Sequence, residues 1–340
     1  MNGYLMVHQL SIRSVFSAFA ALQRCKSSIF RSPERSPSMR FHLSGLIPAT
    51  FTPLHADGSL NLALIGPMVD FLIEQQMTGL YVCGSTGEGV SLSNDERKAV
   101  AAAFVDAARG RVPVIVQVGH TSLVEAQALA AHAQEVGADA ISAVPPFYFK
   151  PGSLDVVVRC LAQIAAAAPE LPFYYYHIPQ RTGVQVDVAD LLAAGCRVIP
   201  NLVGAKYSFF DVFGLQAAAA LEHGRFNLLF GSDEMLLSGL CAGAQGAVGT
   251  TYNFAAPIFN RVIDAYQRND MASAQMYQGQ AVQIIRLIAG YGGLSAFKAV
   301  MKFLGLDCGS VRLPLLPLSA QKEEELKAEL TRLGFFHWIA

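Results

Sequence analysis

From Gly45 onward the chain alternates short β-branched and aromatic runs with longer alanine-rich segments of helical period. The alternation recurs eight times over about 220 residues, which is the signature of repeated βα units. Strands are expected at Leu46 to Phe51, Gly79 to Cys83, Val114 to Val118, Ala140 to Val144 and Phe173 to His177. Three more are expected at Leu202 to Lys206, Asn227 to Phe230 and Gly246 to Gly249. Helices are expected between them, for example Ser93 to Ala108, where Ser93 and Glu96 have capping-box spacing. Others fall near Leu123 to Gln134, Leu154 to Ala167 and Asp187 to Ala194. Eight such units predict a (β/α)8 barrel, with chemistry gathered at the C-terminal ends of the strands. An open doubly wound sheet is the alternative, but no GxGxxG follows an early strand.

Helical segments continue past the last strand, at Met271 to Ala289, Leu294 to Leu304 and Ala320 to Leu333. They exceed what a barrel needs and predict a helical appendage packed on it. The chain therefore divides into a barrel over residues 41–268 and an extension over 269–340. Residues 1–40 carry six basic residues and one acid, Glu34, together with many serines. The composition fits a transit peptide or a disordered leader. Because the apolar patch from Val15 to Leu22 is short, and Met39 stands just before the first strand, a disordered or untranslated leader is the favoured reading.

A hydrophobic content of 52% in 340 residues supports a sizeable core. The formal net charge of −1 gives no basic surface for nucleic acid, and no apolar stretch is long enough to cross a bilayer. A soluble protein with a small-molecule partner is expected. Six cysteines lack CxxC spacing or paired histidines, favouring reduced thiols in a cytoplasm over disulfides or a zinc site.

Of eight lysines, only Lys206 is fed by a hydrophobic strand. Lys298 and Lys302, spaced i,i+4, read as a helix pair, and the others lie in charged or turn-rich surroundings. An ammonium in an apolar pocket loses hydration and its pKa falls, so that the neutral amine can attack a carbonyl carbon and form a Schiff base. This stretch alone equally allows a strand-end lysine reaching solvent.

The second strand leads into Gly84-Ser85-Thr86-Gly87-Glu88, whose backbone N–H groups and hydroxyls suit a carboxylate or phosphate, or simply form a βα turn. The fifth ends in Tyr174-Tyr175-Tyr176-His177, where alternation puts Tyr174 and Tyr176 on one face. A phenol beside Lys206 could move protons; Tyr174, Tyr175 and His177 read as structural. The aromatic loop Phe147-Tyr148-Phe149 fits a site rim or a subunit contact. Asp233-Glu234 after the seventh strand could bind hydroxyls or cap the next helix.

Taken in order, Gly84 to Glu88, Tyr176-His177-Ile178-Pro179, Gly204 to Ser208, Gly231 to Glu234 and Gly249 to Asn253 resemble one family. It is the class I, pyruvate-dependent aldolase superfamily of dihydrodipicolinate synthase, in its N-acetylneuraminate lyase branch. The resemblance runs from about Gly45 through the C-terminal helices. It implies a TIM barrel assembled as a homo-oligomer, usually a tetramer, that needs no metal or organic cofactor. It assigns Lys206 to Schiff-base formation, Tyr176 to proton transfer, and Ser85 and Thr86 to the substrate carboxylate. Tyr148 would complete the hydroxyl relay across a subunit contact. Ser208, Gly231, Asp233, Glu234 and Thr250 would hold the sugar.

Two positions depart from the lyase pattern. Arg181 stands where lyases carry an uncharged residue and dihydrodipicolinate synthases carry an arginine that binds a carboxylate. Thr250 replaces a commoner serine, narrowing the pocket by one methyl. The expected activity is reversible cleavage of N-acetylneuraminate to N-acetylmannosamine and pyruvate. The alternatives are a dihydrodipicolinate synthase or another 2-keto acid aldolase acting on a carboxylate-bearing aldehyde, and a keto-acid or sugar sensor without turnover. The intact lysine, tyrosine and hydroxyl set stands against the sensor.

Overall fold

Eight parallel strands close into a barrel in the computed structural model, which describes residues 41–340. The leader expected over residues 1–40 lies outside the described residues. The strands are β1 (Gly45–Pro48), β2 (Leu80–Val82), β3 (Val114–Gln117), β4 (Ala140–Ala143), β5 (Phe173–His177), β6 (Leu202–Tyr207), β7 (Asn227–Phe230) and β8 (Gly246–Gly249). Each pairs with its sequence neighbour from β2 through β8, and β8 pairs with β1. The first strand is shorter than expected because the backbone changes partner at its end. Ala49 N donates to Gly249 O at 2.9 Å, and Thr50 N then donates to Tyr81 O at 3.0 Å. An isolated Ala49–Tyr81 bridge closes the gap between β1 and β2.

The expected helices form at Asn94–Ala108, Leu123–Glu135, Leu154–Ala166 and Val188–Gly195. Ser93 and Glu96 make the reciprocal capping box, with bonds of 3.2 and 2.8 Å, a cap that contributes about 1 kcal/mol. The core has two apolar layers, as strands with alternating faces require. Ile47, Tyr81, Ile115, Tyr174, Tyr176, Leu229 and Val248 fill the barrel interior, while Tyr175, Leu202, Ala205 and Tyr207 face the helices. Tyr174 and Tyr175 are core residues with satisfied hydroxyls: Tyr174 donates to Asn227 Oδ1 at 2.7 Å, and Tyr175 lies 3.2 Å from His177 Nδ1.

One irregularity positions the chemistry. Phe173 pairs with Leu202, but Tyr174 pairs with Gly204, so Val203 is an extra residue on β6. Strict alternation from Leu202, which faces the helices, would send Lys206 to the helices as well. The bulge reverses the parity: Val203 faces the interior, Ala205 and Tyr207 face the helices, and Lys206 turns inward, level with Tyr176. Glycine is required in the bulge because a Cβ at Gly204 would stand 1.8 Å from Asn227 O on β7.

The C-terminal helices are Met271–Gly290, Leu294–Phe303, Ala320–Leu333 and Phe335–Ile339. Residues 41–340 belong to one compact unit. Phe254 joins the last barrel helix to this extension, stacking on Phe297 at 6.0 Å and meeting Phe335 edge-on at 6.3 Å. Among the described residues, no single helix is long and apolar enough to cross a membrane.

Candidate active site

Lys206 is the next-to-last residue of β6, at the C-terminal mouth of the barrel, and is 4% exposed. Its Nζ lies over two rings, 3.8 Å from the centre of Tyr81 and 4.2 Å from that of Tyr176. Among the described residues no carboxylate forms an ion pair with it. Burial pushes its pKa below the usual lysine value, and the nearby Tyr176 and Asp233 oppose that shift only in part.

The amine opens onto a cavity of about 420 Å³, within the ~300–1,000 Å³ range of small-molecule sites. Ser85, Thr86, Tyr176, Arg181, Ser208, Gly231, Asp233 and Thr250 line it together with Lys206. Nearly the whole expected set therefore converges on one space. The Ser85 hydroxyl lies 3.4 Å from the Tyr176 phenol, and Thr86 Oγ1 lies 2.7 Å from Thr250 Oγ1. Ser208 Oγ is buried without a hydrogen-bond partner in the protein, so a polar ligand atom would satisfy it. Two glycines keep the space open: a Cβ at Gly231 would fall 1.9 Å from Ser208 Oγ, and one at Gly249 would fall 1.9 Å from Asp233 Oδ1.

Asp233 is not a helix cap. Its Oδ2 accepts from both N and Oγ1 of Thr251, at 2.7 and 2.6 Å, tying the loop after β7 to the loop after β8. Burial raises its pKa despite these bonds. Glu234 next to it is half-buried and does not line the cavity. Tyr148 also lies outside the cavity of its own chain, 76% exposed beside Phe149, which is 86% exposed. Arg181 lines the rim without an acidic partner among the described residues, so the simple salt-bridge explanation for it does not hold.

Several contributors were not among the residues expected from the sequence. Tyr81 lies beneath Lys206 and donates to Ser142 Oγ at 3.1 Å. Its inward direction on β2 was available from alternation. Leu294, Phe297 and Leu315 of the extension form part of the cavity wall, which no local pattern announces. Lys298, which reads as half of an i,i+4 helix pair, is buried at 2% exposure. It pairs with the carboxylate of Glu88 at 3.0 Å. The loop after β2 that holds Ser85 and Thr86 is bracketed by two non-glycine residues in the left-handed region, Cys83 (φ 58°) and Glu88 (φ 54°). Each costs on the order of 1–3 kcal/mol unless its surroundings hold it in place.

Residues 42–333 match the Dihydrodipicolinate synthetase family. The chain belongs to that family. Within it, the chain is 42% identical over 299 residues to an N-acetylneuraminate lyase of Pongo abelii, covering 86% of this chain and 93% of that one. It is 41% identical to the Homo sapiens protein of the same name, at the same coverage. Among solved structures, Proteus mirabilis N-acetylneuraminate lyase superposes with a TM-score of 0.84 at 38% identity, covering 87% of this chain and 100% of that one. The native N-acetylneuraminate lyase (sialic acid aldolase) of Aliivibrio salmonicida also gives 0.84, at 37% identity, covering 87% of this chain and 98% of that one. As a member of the dihydrodipicolinate synthetase family, the chain has the expected TIM barrel with additional C-terminal helices.

Proposed function

We propose that this protein is a class I aldolase that reversibly cleaves N-acetylneuraminate to N-acetylmannosamine and pyruvate. The observation that carries the reading is the burial of Lys206 at a cavity mouth with no carboxylate partner, in a chain about 40% identical to lyases of that name. The neutral amine adds to the C2 ketone of the open-chain sugar, and loss of water gives a protonated Schiff base. Tyr176 moves the protons of that step, and Ser85 and Thr86 hold the carboxylate. The iminium then accepts the electrons of the C3–C4 bond as the C4 hydroxyl gives up its proton. The amino-sugar aldehyde leaves, the enamine is protonated at C3, and water releases pyruvate and the free lysine.

Asp233, Ser208 and Thr250 would hold sugar hydroxyls. Glu234 would join them only after a change of rotamer. Tyr148 would act in the cavity of a second copy, an arrangement supported by its exposure beside Phe149. The same reading makes the enzyme a homo-oligomer, a tetramer, acting in the cytoplasm. The free state of the five described cysteines supports that compartment.

The test is pyruvate release from N-acetylneuraminate, measured with coupled lactate dehydrogenase for the wild type and the Lys206→Ala variant. Release by the wild type alone is the expected result; equal release by both would sink the Schiff-base mechanism. Arg181 supports a second reading, a pyruvate-dependent aldolase whose aldehyde carries its own carboxylate. Arg181→Ala separates the two, because it should abolish activity only toward such an aldehyde.

A further inference from the structure

We propose that Glu88 and Lys298 are positioning residues: their buried ion pair holds the loop bearing Ser85 and Thr86, making recognition of the 2-keto acid carboxylate depend on the C-terminal extension. The inference rests on the aldolase reading above, in which that loop binds the carboxylate.

The loop does little to hold itself. Glu88 N donates to Ser85 O at 3.2 Å and Gly89 N to Gly84 O at 3.1 Å, closing a turn, while Thr52 Oγ1 donates to Gly87 O at 2.7 Å. Ser85 and Thr86 touch Tyr176 and Thr250 within the barrel, and the loop's anchor to the extension is the Glu88 side chain, which leaves a left-handed residue and reaches 210 positions along the chain. One carboxylate oxygen accepts from Lys298 Nζ at 3.0 Å, and the other accepts from Arg312 N at 2.8 Å. Lys298 also donates to Ser310 O at 2.7 Å, so the carboxylate and the ammonium each bind the strap that follows the helix Leu294–Phe303. Both side chains are almost wholly removed from water.

A buried ion pair is a poor way to add stability, since an apolar pair of similar volume packs as well or better. What it supplies is direction: three charge-assisted hydrogen bonds fix where the loop stands relative to the helix. The same helix presents Leu294 and Phe297 to the cavity, so the pair fixes the distance between the carboxylate loop and the opposite wall. Lys298 additionally borders a second cavity of about 540 Å³, which Ser310 and Lys302 also line.

The experiment compares the wild type with Glu88→Gln, Lys298→Met and the double variant in borohydride trapping of pyruvate and in steady-state cleavage. The expected result is a rise of roughly tenfold or more in half-saturating pyruvate and in KM, with kcat changed by less than about threefold. The double variant should be no worse than the more impaired single one. A lowered Tm with pyruvate dependence unchanged would overturn the proposal, as would a loss confined to kcat. If the variants do not fold, hydrogen exchange on the wild type decides. Pyruvate should protect amides of Leu294–Phe303 and Ser310 to Arg312 together with those of the loop, and protection of barrel loops alone overturns the proposal. Absence of any trapped adduct in the wild type would instead remove the aldolase reading.

Discussion

Lys206 and Lys298 are both buried ammonium groups, and burial pushes the pKa of each below the usual lysine value. Their surroundings differ in one respect. Lys298 has a carboxylate and a carbonyl within hydrogen-bond distance, whereas Lys206 has two aromatic rings and an open cavity. A paired lysine is held as a cation and serves geometry. An unpaired one beside a cavity is free to lose its proton and form a bond. Depth of burial therefore does not mark a nucleophile; the lack of a carboxylate in ion-pair contact, together with access, does.

The sharpest way to break this comparison is to make the same substitution twice. Lys206→Met should lower turnover by at least ~10³-fold and abolish trapping, while stability rises by about 1 kcal/mol because a buried amine is replaced by a thioether chain. Lys298→Met should retain trapping but lose about 3–5 kcal/mol, because Glu88 is left buried without its cation. Thermal melts beside the coupled assay read both outcomes, and a stability loss at Lys206 equal to that at Lys298 would end the distinction. Tyr176→Phe comes next. It keeps the ring under the amine but removes the hydroxyl, and should lower kcat about 10²–10³-fold with little change in Tm.

The third test uses pH. The amine must be neutral to attack, so trapping should increase with pH through the Lys206 pKa, and that limb should lie below the value of an exposed lysine. The charge of Asp233 raises this pKa, so Asp233→Asn should move the limb further toward acid; a move toward alkali would contradict the electrostatics. The smallest effect concerns the second lysine's neighbourhood. Arg312 holds Glu96 well below the usual carboxylate range, at about 2, through paired hydrogen bonds. A lowered carboxylate pKa contributes stability that is present above the unfolded value and lost as pH falls from about 4.5 toward 2. Since the pair is partly exposed, Arg312→Ala should cost only about 1 kcal/mol more at pH 7 than at pH 2 in urea unfolding, its bonds to Gly58 O and Ser91 O being lost at both.

The barrel was legible because its signal is local. Each strand is a compact apolar run, and the helical period between runs repeats without interruption. Lys206 was legible as the amine at a strand tip, and Tyr176 through alternation on β5. What depended on contacts between distant segments was not. Lys298 reads as half of a helix pair because Lys302 stands one turn away, yet its side chain points at a loop 210 positions earlier. The cavity wall from Leu294, Phe297 and Leu315 is likewise set by how the extension packs. The end of β1 was overextended because a change of pairing partner leaves no trace in residue type. Gly204 did carry a sign, since glycine inside a strand commonly marks a bulge.

That bulge reverses the usual expectation about tolerance to mutation. A buried barrel strand is ordinarily where losing a residue does the most harm. On β6 the extra residue is what separates Leu202 from Lys206 by an even number of steps while they face opposite ways. Deleting Gly204 would leave plain alternation, with both ends facing as they do now. Keeping the count and filling the position drives a methyl group into the backbone of β7, and a strand that relieved the clash by straightening would turn the amine out among the helices. At this position, shortening the strand by one residue preserves the direction of the amine, and substituting the residue does not.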